Sequence, residues 1–371
     1  MLFSLYKTVR KDSLKLIEKY YGQKRLYVLI LNVCSKRAGR SAPRAPFEET
    51  PLKAVDAHTY LAALLAAPRP GSENVLAFYD HRVGHVCTDA ALLLLPLDDH
   101  ICHRGDGLFE SISYRQGRLF SFDQHLARLK DGAAALGIPP PCPWDTLRRI
   151  ILDVARASGS DHGDMRIFLS RGPGGFGISP AECPQAGLYV VALRKKFAGQ
   201  AFYEKGLTAF TSDIPPKQEY LARIKNTNYL PNVFMAMEAA RKGMDVAVTF
   251  DEDGFMGEAA TANVGLVDER GRLLCPELRR ILPGTTMLAA LELAAHRHPG
   301  PMTVIEAPIA KEQISTASEM LLFTSSTLCV GVTHFDGKPV GCGEHLGRPG
   351  PVARWLKDAL LRHLMEQGTP F

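Results

Sequence analysis

Strand-length apolar runs and stretches of helical period interleave through this chain in two successive blocks, and that pattern restricts it to a mixed fold. In the first block, strand-like runs at 74–79, 91–95, 165–170 and 187–193 alternate with helical spacing over 55–66, 122–136 and 144–157. Between them lies a hairpin-like passage: Ser111-Ile-Ser-Tyr114, the turn Arg115-Gln-Gly117, then Arg118-Leu-Phe120. The second block begins near residue 205, with strands expected at 207–211, 246–250, 264–267, 302–304 and 319–323 and helices at 228–242, 286–297 and 352–365. The expected class is α+β: a smaller N-terminal domain over 54–196, a larger one over 197–371, and a seam between them that suits a cleft enzyme.

Ahead of these blocks, residues 1–53 form a basic extension and linker, expected to be poorly ordered. Lys7, Arg10, Lys11, Lys15, Lys19, Lys24, Arg25, Lys36, Arg37, Arg40 and Arg44 fall there. The whole chain carries a net charge of only +5, so the body is near neutral and bulk charge gives no case for nucleic acid. The apolar run 26–33 follows basic residues as a signal peptide's core would, but the site after it lacks the small residues a signal peptidase needs. No apolar run is long enough to span a membrane. The 8 cysteines are far apart with no C-x-x-C pair, which argues against a zinc ribbon and for reduced thiols in a cytoplasmic setting. His81 with His85, and His100 with His103, have tolerable spacing for a metal but no acidic or cysteine partner beside them, so no metal site is expected.

Several clusters carry residue types with chemical uses. Arg104-Gly-Asp-Gly-Leu-Phe-Glu110 has two glycines that permit a tight turn or a ligand's approach. His125 and Arg128, three apart on an expected helix, share a face, and arginine suits bidentate phosphate recognition; a solvated helix face has the same pattern. Ser170-Arg-Gly-Pro-Gly-Gly-Phe-Gly-Ile-Ser-Pro180 is a shaped loop between strands with no Walker or dinucleotide signature. Lys225 sits in the sparsely charged stretch Tyr220-Leu-Ala-Arg-Ile-Lys-Asn-Thr-Asn-Tyr229; a lysine kept neutral by desolvation is an amine nucleophile or base. Glu258 follows in Gly257-Glu-Ala-Ala-Thr-Ala-Asn263, opening a strand. Leu282-Pro-Gly-Thr-Thr286 precedes a helix and Thr324-Ser-Ser-Thr327 follows a strand, where hydroxyls and backbone N–H groups make either an anion site or an ordinary cap.

In this order and spacing the clusters resemble the class IV (fold type IV) pyridoxal-phosphate-dependent aminotransferases, a family that includes branched-chain aminotransferase, D-amino acid aminotransferase and 4-amino-4-deoxychorismate lyase. The resemblance covers about residues 74–360. It implies that Lys225 is the Schiff-base lysine and that Glu258, with Asn263, pairs with the pyridine nitrogen of pyridoxal 5'-phosphate. Arg128 becomes the phosphate arginine, and Gly284, Thr285, Thr286, Ser325 and Ser326 the phosphate loops. Phe109, Arg166, Tyr229, Ser326 and Thr327 fall on the substrate side. It also implies a homodimer with the cofactor between two domains. Gly265, Cys275, Thr285 and Met287 depart from the family's usual residues, which weakens assignment to its best-known subfamily without touching the lysine, the glutamate or Arg128.

The expected activity is a ping-pong transamination in which Lys225 holds the cofactor and then shuttles the Cα proton, while Glu258 keeps the ring nitrogen protonated. Glu110 after Phe109 resembles the aminotransferase pattern, and a branched-chain-like L-amino acid is the favoured donor, with a 2-oxo acid such as 2-oxoglutarate as acceptor. The lyase is the alternative, because the glycine-rich loop resembles it equally. A D-amino acid enzyme is less favoured because an Arg-x-His carboxylate clamp is missing from that loop, and a non-enzymatic binding module on a retained fold is the remaining reading.

Overall fold

The computed structural model describes residues 53–371. The expectations for the basic extension and for the run at 26–33 lie, but for Lys53, outside the described residues. The chain divides into two units, 1–60 and 61–371, and the second carries both sheets and the site.

The strands are β1 (Val75–Asp80), β2 (His85–Cys87), β3 (Gly107–Arg115), β4 (Arg118–Leu119), β5 (Gly163–Ser170), β6 (Gly187–Leu193), β7 (Leu207–Thr211), β8 (Val246–Phe250), β9 (Met256–Ala259), β10 (Asn263–Val267), β11 (Leu273–Cys275), β12 (Val304–Glu306), β13 (Glu319–Thr324), β14 (Leu328–Phe335), β15 (Lys338–Pro339) and β16 (Thr369–Pro370). The helices are α1 (Ala57–Ala66), α2 (His100–His103), α3 (Phe122–Leu136), α4 (Trp144–Ala157), α5 (Gln200–Lys205), α6 (Glu219–Ala222), α7 (Leu230–Lys242), α8 (Thr285–Arg297) and α9 (Pro351–Gln367). One sheet runs β16-β4-β3-β5-β6-β1-β2, every neighbour antiparallel. The other runs β12-β11-β10-β13-β14-β7-β8-β9 with β15 beside β14, and is parallel at β11/β12, β14/β7 and β7/β8. The molecule is therefore α+β with two sheets, as the interleaved pattern implied.

Strand period does the sorting in the first sheet. Leu108, Ile112, Leu169 and Leu188 point to the face covered by α3 and α4, where they pack with Leu129, Leu147 and Ile151. At about 25 cal/mol per Å², each such side chain contributes roughly 1.5–3 kcal/mol on burial. Helix α3 stops where it was expected to: Gly137 adopts φ 59° and its N–H reaches Ala133 O and Ala134 O.

Three departures from the sequence reading bear on the sheets and the cavity. Residues 91–95 form no strand. Asp89 caps a short turn at Ala90–Leu92, Pro96 follows, and the leucines line a cavity instead of joining a sheet. The strand expected at 302–304 begins two residues later, as Val304–Glu306, in parallel register with β11. Strand β14, central to the second sheet, was missed because Gly331 interrupts its apolar run. Pro349 explains the glycine: a Cβ at Gly331 would lie 2.9 Å from the Pro349 Cβ.

Candidate active site

Three strands of the first sheet present one face to a cavity of about 530 Å³. Phe109, Phe168 and Tyr189 form one cross-strand row, and Ser111, Arg166 and Val191 the next. Leu93, Leu94, Leu95 and Ile101 close one side, and Thr227 and Tyr229 another. Among the described residues the lining is apolar with a single cation, Arg166. Its Nη1 stands 3.5 Å from Asp164 Oδ2. Asp164 is already engaged by Lys195 Nζ at 2.6 Å and Ser113 Oγ at 2.6 Å, so Arg166 keeps donors free for the cavity.

Backbone bonds seat Lys225 against β3. Phe109 N–H donates to Lys225 O at 3.0 Å and Thr227 N–H to Gly107 O at 3.0 Å. Thr227 Oγ1 and Asn228 Nδ2 both donate to Gly105 O, at 2.8 and 3.0 Å. Gly105 has φ 63°, and a Cβ there would sit 2.3 Å from Asn228 Oδ1. The Gly-Asp-Gly turn, uninformative alone, is thus the seat of the lysine segment. Lys225 Nζ lies 3.3 Å from the Tyr229 hydroxyl and 4.3 Å from the centroid of the Phe109 ring. Burial pushes its amine down to about 8, with Glu110 and Glu258 opposing and Arg128 assisting.

Residue 110, next to cavity-facing Phe109, points the other way, toward α3. Glu110 is 1% exposed. Its carboxylate accepts from Arg128 Nε and Nη2, both at 2.8 Å, and from His125 Nδ1 at 2.6 Å. Burial raises its pKa, but Arg128 and His125 overcome that and hold it near 2. Burial also keeps His125 below the usual histidine range. The neutral ring donates through Nδ1 and accepts at Nε2 from Thr285 Oγ1, 3.1 Å away. Arg128 Nη1 donates to Pro283 O at 3.0 Å. Three of its five N–H groups are thereby engaged, leaving two for an anion. The loop at 282–286 is therefore tied to α3 at two points. The Thr285 hydroxyl is turned to His125, so Thr285 and Thr286 offer an anion their first-turn N–H groups at the start of α8.

Glu258 reaches the same loop, its Oε2 accepting from Leu282 N–H at 3.2 Å. Burial raises its pKa; Lys217, the Leu282 N–H, Lys225 and Arg128 pull the other way. Asn263 Nδ2 donates to Leu282 O at 2.7 Å, and a Cβ at Gly284 would fall 1.9 Å from Asn263 Oδ1, so only glycine fits there. Asn263 pairs with Phe323 across β10 and β13, which puts the Thr324–Thr327 turn at the same strand end. In that turn Thr324 Oγ1 accepts from Thr327 N–H at 2.9 Å and meets Thr327 Oγ1 at 2.7 Å, while Ser326 Oγ lies 3.3 Å away; Ser325 sits partly exposed at the tip. The glycine-rich loop stands apart from this network. Arg104 donates to Phe176 O and Gly177 O, and Glu182 accepts from Gly177 N–H.

Of the residues singled out from sequence, Tyr229, Phe109 and Arg166 line the cavity with Lys225 Nζ against the first two, and Arg128, Glu258, Gly284 and Thr285 meet at one hydrogen-bonded loop. The sequence reading undervalued Glu110, using it only as a subfamily marker, and passed over Lys217, whose ammonium stands 4.4 Å over the Tyr229 ring. A charge at a core-facing position of β3 was the available signal for Glu110. For Lys217 the sequence held no signal.

A family model described as amino-transferase class IV matches residues 107–335. A chloroplastic D-amino-acid transaminase of Arabidopsis thaliana is 35% identical over 303 residues, covering 81% of this chain and 79% of that protein. The structure of the branched-chain amino acid aminotransferase from Escherichia coli superposes with a TM-score of 0.69 at 23% identity, covering 78% of this chain and 94% of that one. That of 4-amino-4-deoxychorismate lyase from Pseudomonas aeruginosa gives 0.63 at 26% identity, covering 73% and 96%. On a match spanning more than half its length, set on a desolvated lysine, a desolvated glutamate and a loop tied to Arg128, this chain belongs to the class IV aminotransferases.

Proposed function

We propose that this protein is a pyridoxal 5'-phosphate-dependent transaminase that takes the amino group of an amino acid with an apolar side chain and delivers it to a 2-oxo acid such as 2-oxoglutarate. The observation that carries the reading is the desolvated amine of Lys225 set against Phe109 and Tyr229, which line an apolar cavity together with the positive charge of Arg166. The residues present fit the cofactor chemically. Arg128 with two free N–H groups and the amides opening α8 suit a phosphate, with Gly284, Ser325 and Ser326 beside them; Glu258 suits a protonated ring nitrogen; Lys225 suits an aldehyde. When bound, the cofactor supplies an electron sink for the bond broken at the donor's Cα. The protein's own part is proton handling and placement. Lys225, mostly neutral slightly above pH 8, takes and returns the Cα proton at Nζ. The Tyr229 hydroxyl aims that amine, and Phe109 walls it from water. Arg166 takes the distal carboxylate of the oxo acid, and the turn at Ser326 and Thr327 offers amides to an α-carboxylate. In this reading the site lies between a domain over 54–196 and one over 197–371.

The apolar walls suit a branched-chain side chain, and the donor is proposed to be of the L-series. The second reading is a D-amino acid donor, favoured by the 35% identity to the plant D-amino-acid transaminase. Lyase chemistry has the support of the 26% identity to the Pseudomonas enzyme. The visible band of the protein with its cofactor separates the three. Bleaching by L-leucine and recovery with 2-oxoglutarate is the expected result. Bleaching by D-alanine alone would move the donor to the D-series. A band indifferent to both, with pyruvate released from aminodeoxychorismate, would identify the lyase.

A second copy of this chain is the proposed partner. On α7, Leu230, Val233, Phe234 and Met237 recur at helical spacing yet stay 43–61% exposed, an apolar stripe that suits a homodimer face. Phe234→Asp is expected to convert a dimer to a monomer in light scattering; an unchanged mass would place the interface elsewhere. Among the described residues no helix is long and apolar enough to cross a membrane, and the proposed setting is the cytoplasm.

A further inference from the structure

Lys217 has no part in the chemistry described so far. It lies between β7 and α6, where Pro216 is in ordinary van der Waals reach of Gly257: a Cβ on that glycine would stand 3.4 Å from the proline Cβ. Lys217 and Gly257 line one small cavity, so the lysine stands against the strand that carries Glu258. It is partly buried, and among the described residues it forms no ion pair with a carboxylate. Instead its ammonium sits 4.4 Å above the Tyr229 ring, whose hydroxyl meets Lys225 Nζ at 3.3 Å. Lys225 Nζ is itself 5.6 Å from the centroid of that ring. Two lysines thus share one tyrosine, one on its face and one at its hydroxyl, with Glu258 as the acid near both. An ammonium taken from water without a paired carboxylate costs free energy, and is kept only where its field is used or its neighbours compensate.

We infer that Lys217 is a positioning residue of this site: a fixed cation, held on the face of Tyr229, that favours the ionised form of Glu258 and the free-amine form of Lys225. The inference rests on the reading of Lys225 as the amine that takes the cofactor.

The direction of each influence follows from the charges. Burial lowers the affinity of Lys217 for its proton and Glu258 restores part of it. Burial raises the pKa of Glu258, and Lys217 opposes this more than any other group. At Lys225 burial acts first; Glu110 and Glu258 then raise the pKa, while Arg128 and Lys217 lower it. His125 and Tyr229 are the other titratable groups around that amine, and burial keeps both of them neutral near pH 7. Removing the positive charge at 217 makes Lys225 easier to protonate, and an ammonium does not attack an aldehyde.

The test uses cofactor-free protein, so its readout is not turnover. Pyridoxal 5'-phosphate is added across a range of pH and its capture is followed at the visible band. In the native protein the capture rate should rise through about pH 8, the midpoint of Lys225. In Lys217→Met, which keeps the length and drops the charge, the midpoint should move up by roughly 0.3 pH unit, slowing capture about twofold at pH 7. Lys217→Gln, a second neutral variant, should do the same, and Lys217→Arg should titrate like the native protein. A Lys217→Met midpoint equal to the native one overturns the inference, as does an equal shift in Lys217→Arg, which would make the effect one of packing. Lys225→Ala is the control. If it captures cofactor with the native band and midpoint, the reading of Lys225 falls and the inference with it; if its band is lost while Lys217→Met is unshifted, the inference alone fails.

Discussion

Lys225→Ala is expected to lose the visible band that pyridoxal 5'-phosphate gives with the native protein and to lower transamination by roughly 10⁴-fold, the upper range for a positioned proton-transfer group. Lys225 Nζ is the amine that touches the Tyr229 hydroxyl, and its backbone is pinned to β3 through Phe109 and Thr227, so a substitute amine has to enter from elsewhere. Lys217, the lysine on the other side of that tyrosine, is held at the ring face. The variant should stay folded, because the bonds that seat the segment belong to the backbone and to Thr227 and Asn228. Circular dichroism unchanged from native, together with activity partly restored by a small added amine, would place the loss in proton transfer. Retention of more than a tenth of native activity would remove Lys225 from the mechanism.

Arg128→Met should have the second-largest effect, on stability as well as on binding. It leaves the Glu110 carboxylate buried with only His125 as a partner, and breaking a buried charge pair by removing one member costs about 3–5 kcal/mol. It also frees the 282–286 loop, which Arg128 holds through Pro283 O, and removes two N–H groups proposed to meet the phosphate. Urea unfolding at pH 7 reads the first effect and cofactor titration the second. Glu110→Gln adds a pH signature. Glu110 in the folded protein is held near 2 against an ordinary value of 4.5. A group depressed on folding contributes stability above its unfolded value and loses it as pH falls through the folded one. The gap in stability between native protein and Glu110→Gln should therefore be full above pH 5 and shrink between pH 4.5 and about 2. A gap independent of pH across that window would mean that Glu110 is not the ionised centre of the network.

How much of this was legible in the chain varies by element. Helix α3 could be bounded from its own residues, since its apolar face repeats along the helix and Gly137 supplies the left-handed stop. Strands β5 and β6 were equally plain, each an apolar run bounded by turns. The run at 91–95 misled because strand propensity does not say whether a partner strand is available; these leucines found a cavity wall. Strand β14 was hidden for the opposite reason. Its glycine is required by Pro349, a neighbour 18 residues further along the chain, and no local pattern can announce that contact. In the site, the resemblance to the class IV family singled out Lys225, Glu258 and Arg128, which residue type and spacing left open, but it did not show that Glu110 is the buried hub joining Arg128 and His125.

The sequence by itself determined the class of fold, because periodicity and turn residues are properties of neighbours along the chain, and the order of its motifs carried the resemblance to the family to which it belongs. Tertiary structure alone decided which of those residues act on one another. Burial lowered the proton affinity of Lys225, gave Glu110 two partners from α3, and set Lys217 over Tyr229. The reason is physical. A charge takes its reactivity from the dielectric and the charges within a few ångströms, and in this molecule those neighbours arrive from strands and helices far apart in sequence.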